Sequence, residues 1–130
     1  MKANAIAREI VDAAYRVHTG LGPGLLESVY EVVLAGELQK RNLDVVCQQP
    51  VPITYNGLRF QLGFRADMIV QDAVIVEVKS LEMLTAVHKK QLLTYLRLSD
   101  KRLGLLINFN VALIKHGITR VVNGLTEADE

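Results

Sequence analysis

The sequence holds one cysteine, Cys47, in 130 residues. A lone thiol forms no internal disulfide and supplies no cysteine-rich zinc site, which excludes a stapled secreted scaffold and a zinc-finger-like domain. Long apolar runs are lacking too. The longest, such as "LGLLINF" at 103–109, fall far short of the roughly 20 residues a membrane helix needs. The opening "MKANAIAREIVDAAYRVH" is interrupted by charge every few residues, so no signal-peptide apolar region is expected and the cytoplasm is the expected location. An excess of either charge is missing as well: 15 Lys and Arg stand against 14 Asp and Glu, a net charge of +1. Any nucleic-acid contact must therefore come from a local patch. Nothing resembles a Gly-rich phosphate loop, a nucleophile elbow or a Ser/His/Asp set.

What is present describes an ordinary folded chain, 50% hydrophobic and 22% charged, of a size expected to form one domain over residues 1–130. Apolar residues Ile6, Ile10, Ala13, Ala14 and Val17 recur at helical spacing, predicting a helix over 4–19 with Asn4 as N-cap. "GLGPG" at 20–24 breaks the chain. A second helix is expected from Leu25 to about Arg41, with its stripe on Leu26, Val29, Val33, Leu34 and Leu38. Strands follow at 44–48, then at "VPITY" and "LRFQLGF" around the hairpin signal Asn56-Gly57. Two more, "FRADMIV" and "VIVEVKS", flank the turn Gln71-Asp72-Ala73. Helical spacing returns over 81–99, with Leu84, Val87, Leu92, Tyr95 and Leu96 near one side; strands are expected at 102–109 and 120–123, then a frayed "TEADE" tail. The order implies an α/β or α+β fold, a mixed sheet flanked by helices.

"VIVEVKS" at 74–80 is apolar on both faces, which indicates burial, yet it carries Glu77 and Lys79 two residues apart and hence on one side. If the turn has three residues, Val70 faces Val74, and Asp67 lies opposite Glu77. A two-residue turn would send Asp67 to the other face. Two opposed carboxylates repel, and a divalent cation removes the conflict. Mg²⁺ takes one or two carboxylates plus waters and phosphate oxygens. It lowers the pKa of a bound water, and Lys79 is placed to orient that water or stabilise developing negative charge. The ordinary alternative is a solvated hairpin face with a weak surface pair.

On the next helix His88, Gln91 and Tyr95 are spaced three and four apart, suited to contact phosphate oxygens or bases, or simply to line the core rim. Lys89, Lys90, Arg97, Lys101 and Arg102 make this helix and its exit the most basic region and the expected phosphate-facing surface. Glu27 in the first turn of the second helix is explained by the helix dipole alone. His18 reads as a favourable cation at a helix C-terminus in preference to a ligand.

Taken in order, "GLLESVY", "FRADMIV", "IVEVKS", "QLLTYL" and "GLLINF" closely resemble the GxxExxY family, placed in the PD-(D/E)XK nuclease superfamily, over about residues 5–123. The resemblance implies a restriction-endonuclease-like α-β-β-β-α-β core with an extra N-terminal helix. It implies Asp67 and Glu77 as the metal-binding pair for Mg²⁺ or Mn²⁺, Lys79 as the catalytic lysine and Glu27 as a further acidic member. Gln91 and Tyr95 match the QxxxY pattern of RecB-like members, beside the active site, and His18 matches a histidine that some relatives use as an additional ligand. Ala66 stands where the superfamily's name has proline. The implied activity is metal-dependent hydrolysis of nucleic acid, DNA ahead of RNA, with no membrane role. The competing expectation is a non-catalytic module that keeps the fold to bind nucleic acid or protein. Homodimerisation or a basic partner would reconcile either with the weak charge.

Overall fold

The computed structural model describes all 130 residues, Met1–Glu130. Helices α1 (Ala3–Leu21) and α2 (Glu27–Lys40) precede strands β1 (Val45–Tyr55), β2 (Leu58–Val70) and β3 (Val74–Lys79). Helix α3 (Ala86–Ser99), strand β4 (Leu103–Asn108), a short 3-10 turn at Ile114–His116 and strand β5 (Ile118–Val122) complete the chain. The strands form one sheet in the order β1-β2-β3-β4-β5. Only β3 and β4 are parallel, joined through α3, so the sheet is mixed. Helices α1 and α2 cover one face and α3 the other.

Alternation within β3 explains the layering. Val74, Val76 and Val78 enter the larger core beneath α1 and α2, while Ile75 enters the smaller core beneath α3. Each such side chain, fully buried, contributes about 1.5–3 kcal/mol. Helix α1 buries all five residues its spacing selects: Ile6, Ile10, Ala13, Ala14 and Val17.

Helix α2 departs from expectation. It starts at Glu27, and it buries Tyr30, Leu34, Ala35 and Leu38, leaving Leu26, Val29 and Val33 exposed. Tyr30 decides this rotation: its ring is fully buried and stacks on Phe109 at 4.6 Å. Asn4 does not cap α1. Lys2 holds that position, and the Asn4 side-chain oxygen accepts from Arg120 Nη2 at 2.6 Å. Helix α3 begins later than expected, at Ala86, with Val87 exposed; Thr85 and His88 form a capping box there. The acidic tail is tied back, with the Ala3 N–H donating to the Asp129 carbonyl and Asp129 Oδ2 accepting from Thr126.

Strands β1 and β2 each join two expected segments into one. Only Met68–Val70 of β2 pairs with β3, so the rest of the hairpin projects past it as a two-stranded ribbon. On the ribbon's α3 side Val51 and Phe64 are buried, while Tyr55, Leu58 and Phe60 further out are exposed.

Candidate active site

The turn Gln71-Asp72-Ala73 has three residues and sets Val70 opposite Val74; Gln71 and Asp72 take positive φ of 54° and 51° to close it. Pairing runs through Ile69 with Ile75 and Met68 with Val76, then stops one step before Asp67 and Glu77. There side chains replace main-chain acceptors. The Asp67 N–H donates to Glu77 Oε2 at 2.9 Å, and the Val78 N–H donates to Asp67 Oδ2 at 2.9 Å. On the other edge, Gln48 stands opposite Asp67 with φ 52°, and it interrupts the β1–β2 ladder between Cys47–Met68 and Gln49–Ala66.

Asp67 is therefore the point where β2 changes its facing. Met68 and Val70 enter the core under α1 and α2, whereas Ala66 and Phe64 enter the core under α3. The hairpin count meets the structure with one amendment. The two carboxylates are adjacent, but at a parting of strands rather than side by side on a flat face. Asp67 opens into a recess lined also by Glu27, Glu31, Gln48, Val78 and Ser80.

Glu77 is 7% exposed. Burial pushes its carboxyl up to about 8, and the Asp67 charge adds to the rise; the Asp67 amide and Lys79 oppose it. Each carboxylate bonds the main chain beside the other, so the two groups are neighbours. One oxygen of each is occupied by a main-chain N–H, which leaves Asp67 Oδ1 and Glu77 Oε1 free. Lys79 continues β3 opposite Asn108 of β4, is half-buried, and enters no ion pair.

The chain after Lys79 is held from both sides. Glu27 Oε1 accepts from the Ser80 N–H at 3.3 Å, and Ser80 Oγ donates to the Leu25 carbonyl at 2.6 Å. Asn108, 3% exposed, accepts from the Leu81 N–H at 3.0 Å and donates to the Leu81 carbonyl at 2.9 Å. Tyr30 explains the third fixed position of the "GLLESVY" stretch. Its hydroxyl donates to the Gly22 carbonyl at 2.6 Å and accepts from the Leu25 N–H at 3.1 Å, pinning the turn before Glu27. Gly24 in that turn has φ 101°, a conformation that favours glycine.

Tyr95 belongs with the carboxylates. Its ring stacks on Phe64 at 4.1 Å, and burial, then the charges of Glu77 and Asp67, push its hydroxyl pKa up. Gln91 lies one turn earlier, exposed and unbonded to any side chain. His88 does not join them: Thr85 N–H donates to its Nδ1 at 3.0 Å in the helix cap. His18 lies in the last turn of α1, at the helix C-terminus expected for it, and apart from this cluster. It is buried, and its Nε2 donates to the Val111 carbonyl at 2.8 Å. Lys101 and Arg102 lie at the far end of the sheet, where β4 begins beside Val74, and pair with Asp72 and Asp100. They do not face the carboxylates.

Glu31 was not singled out by sequence. Gln48 Nε2 donates to its Oε1 at 2.8 Å. Burial raises its pKa, with Asp67 and Glu27 adding to the rise. Its position four residues after Glu27, one helical turn on, is the signal that points to it. No group of three His, Cys, Asp or Glu side chains is placed to hold a metal ion. A closed protein cage is thus absent, while a pair of hard carboxylate oxygens with space for water suits Mg²⁺ or Mn²⁺.

The crystal structure of SSO0001 resembles this fold at a TM-score of 0.57 and 24% identity, over 78% of this chain. The chain spans only 52% of that protein. No curated protein matches the sequence. Residues 4–121 match the pattern of the PD-(D/E)XK nuclease superfamily. With nearly the whole sheet and its helices inside that match, the chain belongs to the PD-(D/E)XK nuclease superfamily.

Proposed function

We propose that this protein hydrolyses phosphodiester bonds in nucleic acid, DNA ahead of RNA, with Mg²⁺ or Mn²⁺ held by Asp67 and Glu77. Nucleases of this superfamily generally use divalent metals. The observation that carries the reading is the carboxylate pair at the parting of β2 and β3, one oxygen of each left free, beside the unpaired Lys79. A bound cation would supply a water of lowered pKa and offset charge on the phosphate. The ammonium of Lys79 stabilises negative charge developing on the phosphoryl oxygens. Glu27 and Ser80 hold the end of β3, so that Lys79 keeps its aim. Tyr95 and Gln91 contact the nucleic-acid strand from α3. The "GLLESVY" stretch, in which Tyr30 pins the turn ahead of Glu27, supports assignment to the GxxExxY group. No helix of the chain is long and apolar enough to cross a membrane, and the lone cysteine supports action in the cytoplasm.

A non-catalytic binding module is favoured by one observation, the net charge of +1. The two readings separate on labelled single- and double-stranded DNA and RNA incubated with Mg²⁺ or Mn²⁺, beside Asp67→Ala and Lys79→Ala. Hydrolysis by the unaltered chain that falls at least about 100-fold in both variants supports the nuclease. Cutting that survives both substitutions comes from elsewhere and removes the mechanism.

A further inference from the structure

Beyond β3 the hairpin of β1 and β2 continues as a ribbon with two unlike faces. Val51, Ile53 and Phe64 pack toward α3, and directly opposed residues share a face. Ile53 opposes Phe60 and Tyr55 opposes Leu58, so the α3 side of the ribbon is apolar to its tip. The intervening positions point the other way. Arg65 opposes Pro50, and Arg59 opposes Thr54. Arg65 stands two residues along β2 from Asp67, whose recess is lined by Glu27 and Glu31 of α2, on the side of the sheet away from α3.

The charges on this ribbon are all of one sign. Between Val45 and Ala66 the only charged residues are Arg59 and Arg65, and no acid accompanies them. Both are exposed, and neither enters an ion pair or a side-chain hydrogen bond. Of the basic residues on α3 and at its exit, Lys101 and Arg102 lie at the far end of the sheet and are paired there, while Lys89 and Lys90 near the start of α3 are exposed and unpaired. Arg65 stands roughly 7 Å from Asp67 along the strand at about 3.3 Å per residue. Strand β2 bulges opposite Val51–Ile53, so Arg59 is placed by its β1 partner Thr54, about 13 Å beyond Arg65's partner Pro50. With a helical rise of about 3.4 Å per nucleotide, that interval covers about four nucleotides of one strand.

We infer that the face of the β1–β2 ribbon carrying Arg65 and Arg59 is a backbone-binding arm, which leads a nucleic-acid strand by its phosphates toward Asp67. The inference rests on the nucleic-acid reading of the site and extends it. It explains how a chain of net charge +1 obtains a local basic track: two guanidiniums are presented with no carboxylate to neutralise them. Phosphate contacts position a strand without reading its sequence, so the arm confers salt-dependent affinity and no base preference.

The test is the salt dependence of binding. Fluorescein-labelled single-stranded and duplex oligonucleotides of equal length are titrated by anisotropy in EDTA, which stops metal-dependent cutting, over a series of NaCl concentrations. Arg59→Ala and Arg65→Ala are each expected to lower the slope of log K against log salt by about 0.7 on single strands or 0.9 on duplex. The double variant should lose about twice that. Arg59→Lys and Arg65→Lys should keep most of the slope, because the charge remains. Arg8→Ala, exposed on α1, should leave it unchanged. An unchanged slope in the folded double variant overturns the arm, as does absence of salt-dependent binding by the unaltered chain. Cleavage assayed in parallel keeps the two readings apart. Cutting with an unchanged slope sinks the arm alone, whereas a lost slope in a chain that never cuts upholds the arm and sinks the nuclease.

Discussion

Glu77 is the residue where fold and chemistry conflict most directly. A carboxyl 7% exposed and beside Asp67 is destabilising when ionised, and its pKa stands at about 8 against an ordinary 4.5. The sign follows from that rise. Below about pH 4.5 the group is protonated in both folded and unfolded chains and costs nothing. As pH climbs toward 8, the unfolded chain ionises freely while the folded chain resists, so stability is lost through that window. Glu77→Gln keeps an acceptor for the Asp67 N–H and removes the charge. Without metal it should therefore raise stability at pH 8 by on the order of 4 kcal/mol, since each unit between 4.5 and about 8 is worth about 1.4 kcal/mol and the folded group is half ionised at pH 8. The gain should vanish near pH 4.5. Denaturant melts at both pH values read it, and an equal gain at both would contradict the assignment to ionisation.

Among the elements, β3 and its continuation carry the site, and Asn108 of β4 is what holds the continuation. Its side chain bonds the Leu81 N–H and carbonyl and also accepts from the Asn110 N–H at 3.2 Å. Asn108→Ala leaves these buried groups without partners and should cost about 1–3 kcal/mol of stability. Because Leu81 lies two residues past Lys79, the same change should lower kcat for an oligonucleotide with KM little affected. Asn108→Asp, which retains the acceptor and loses the donor, should fall between the two. A variant that loses stability but keeps kcat would limit Asn108 to a structural role. At this scale the sequence was legible where periodicity and burial agree. The five apolar positions of α1 and the three-residue turn before β3 both stand as read. It was less legible in α2, where spacing alone selected Leu26, Val29 and Val33. Burying the large ring of Tyr30 against Phe109 outweighed those smaller side chains and rotated the helix.

For the whole molecule, the carboxylate pair predicts linkage between metal and folding. An ion that binds the folded chain alone, at a hundred times its Kd, stabilises by about 2.7 kcal/mol, roughly a 10 °C rise in Tm for a chain of this size. Mg²⁺ or Mn²⁺ should produce such a rise in the unaltered protein and none in Asp67→Asn. A rise of equal size in both would place the ion elsewhere.

The sequence by itself determined the hairpin and the burial of "VIVEVKS", because period-two alternation is a local property of the chain. It set Asp67 opposite Glu77 only on condition of a three-residue turn, which the structure supplied. Family-wide spacing pointed to Glu27, Gln91 and Tyr95 as companions. Tertiary structure decided the rest. It showed that the pair meets where the ladders part, with main-chain N–H groups bonded to the carboxylates. It brought Glu31 to the recess and bound His18 and His88 to structural partners instead. It also turned the basic exit of α3 away and left Arg59 and Arg65 free on the ribbon. None of these is local: each depends on which distant segment supplies a hydrogen-bond partner, and only the packed sheet brings such segments together.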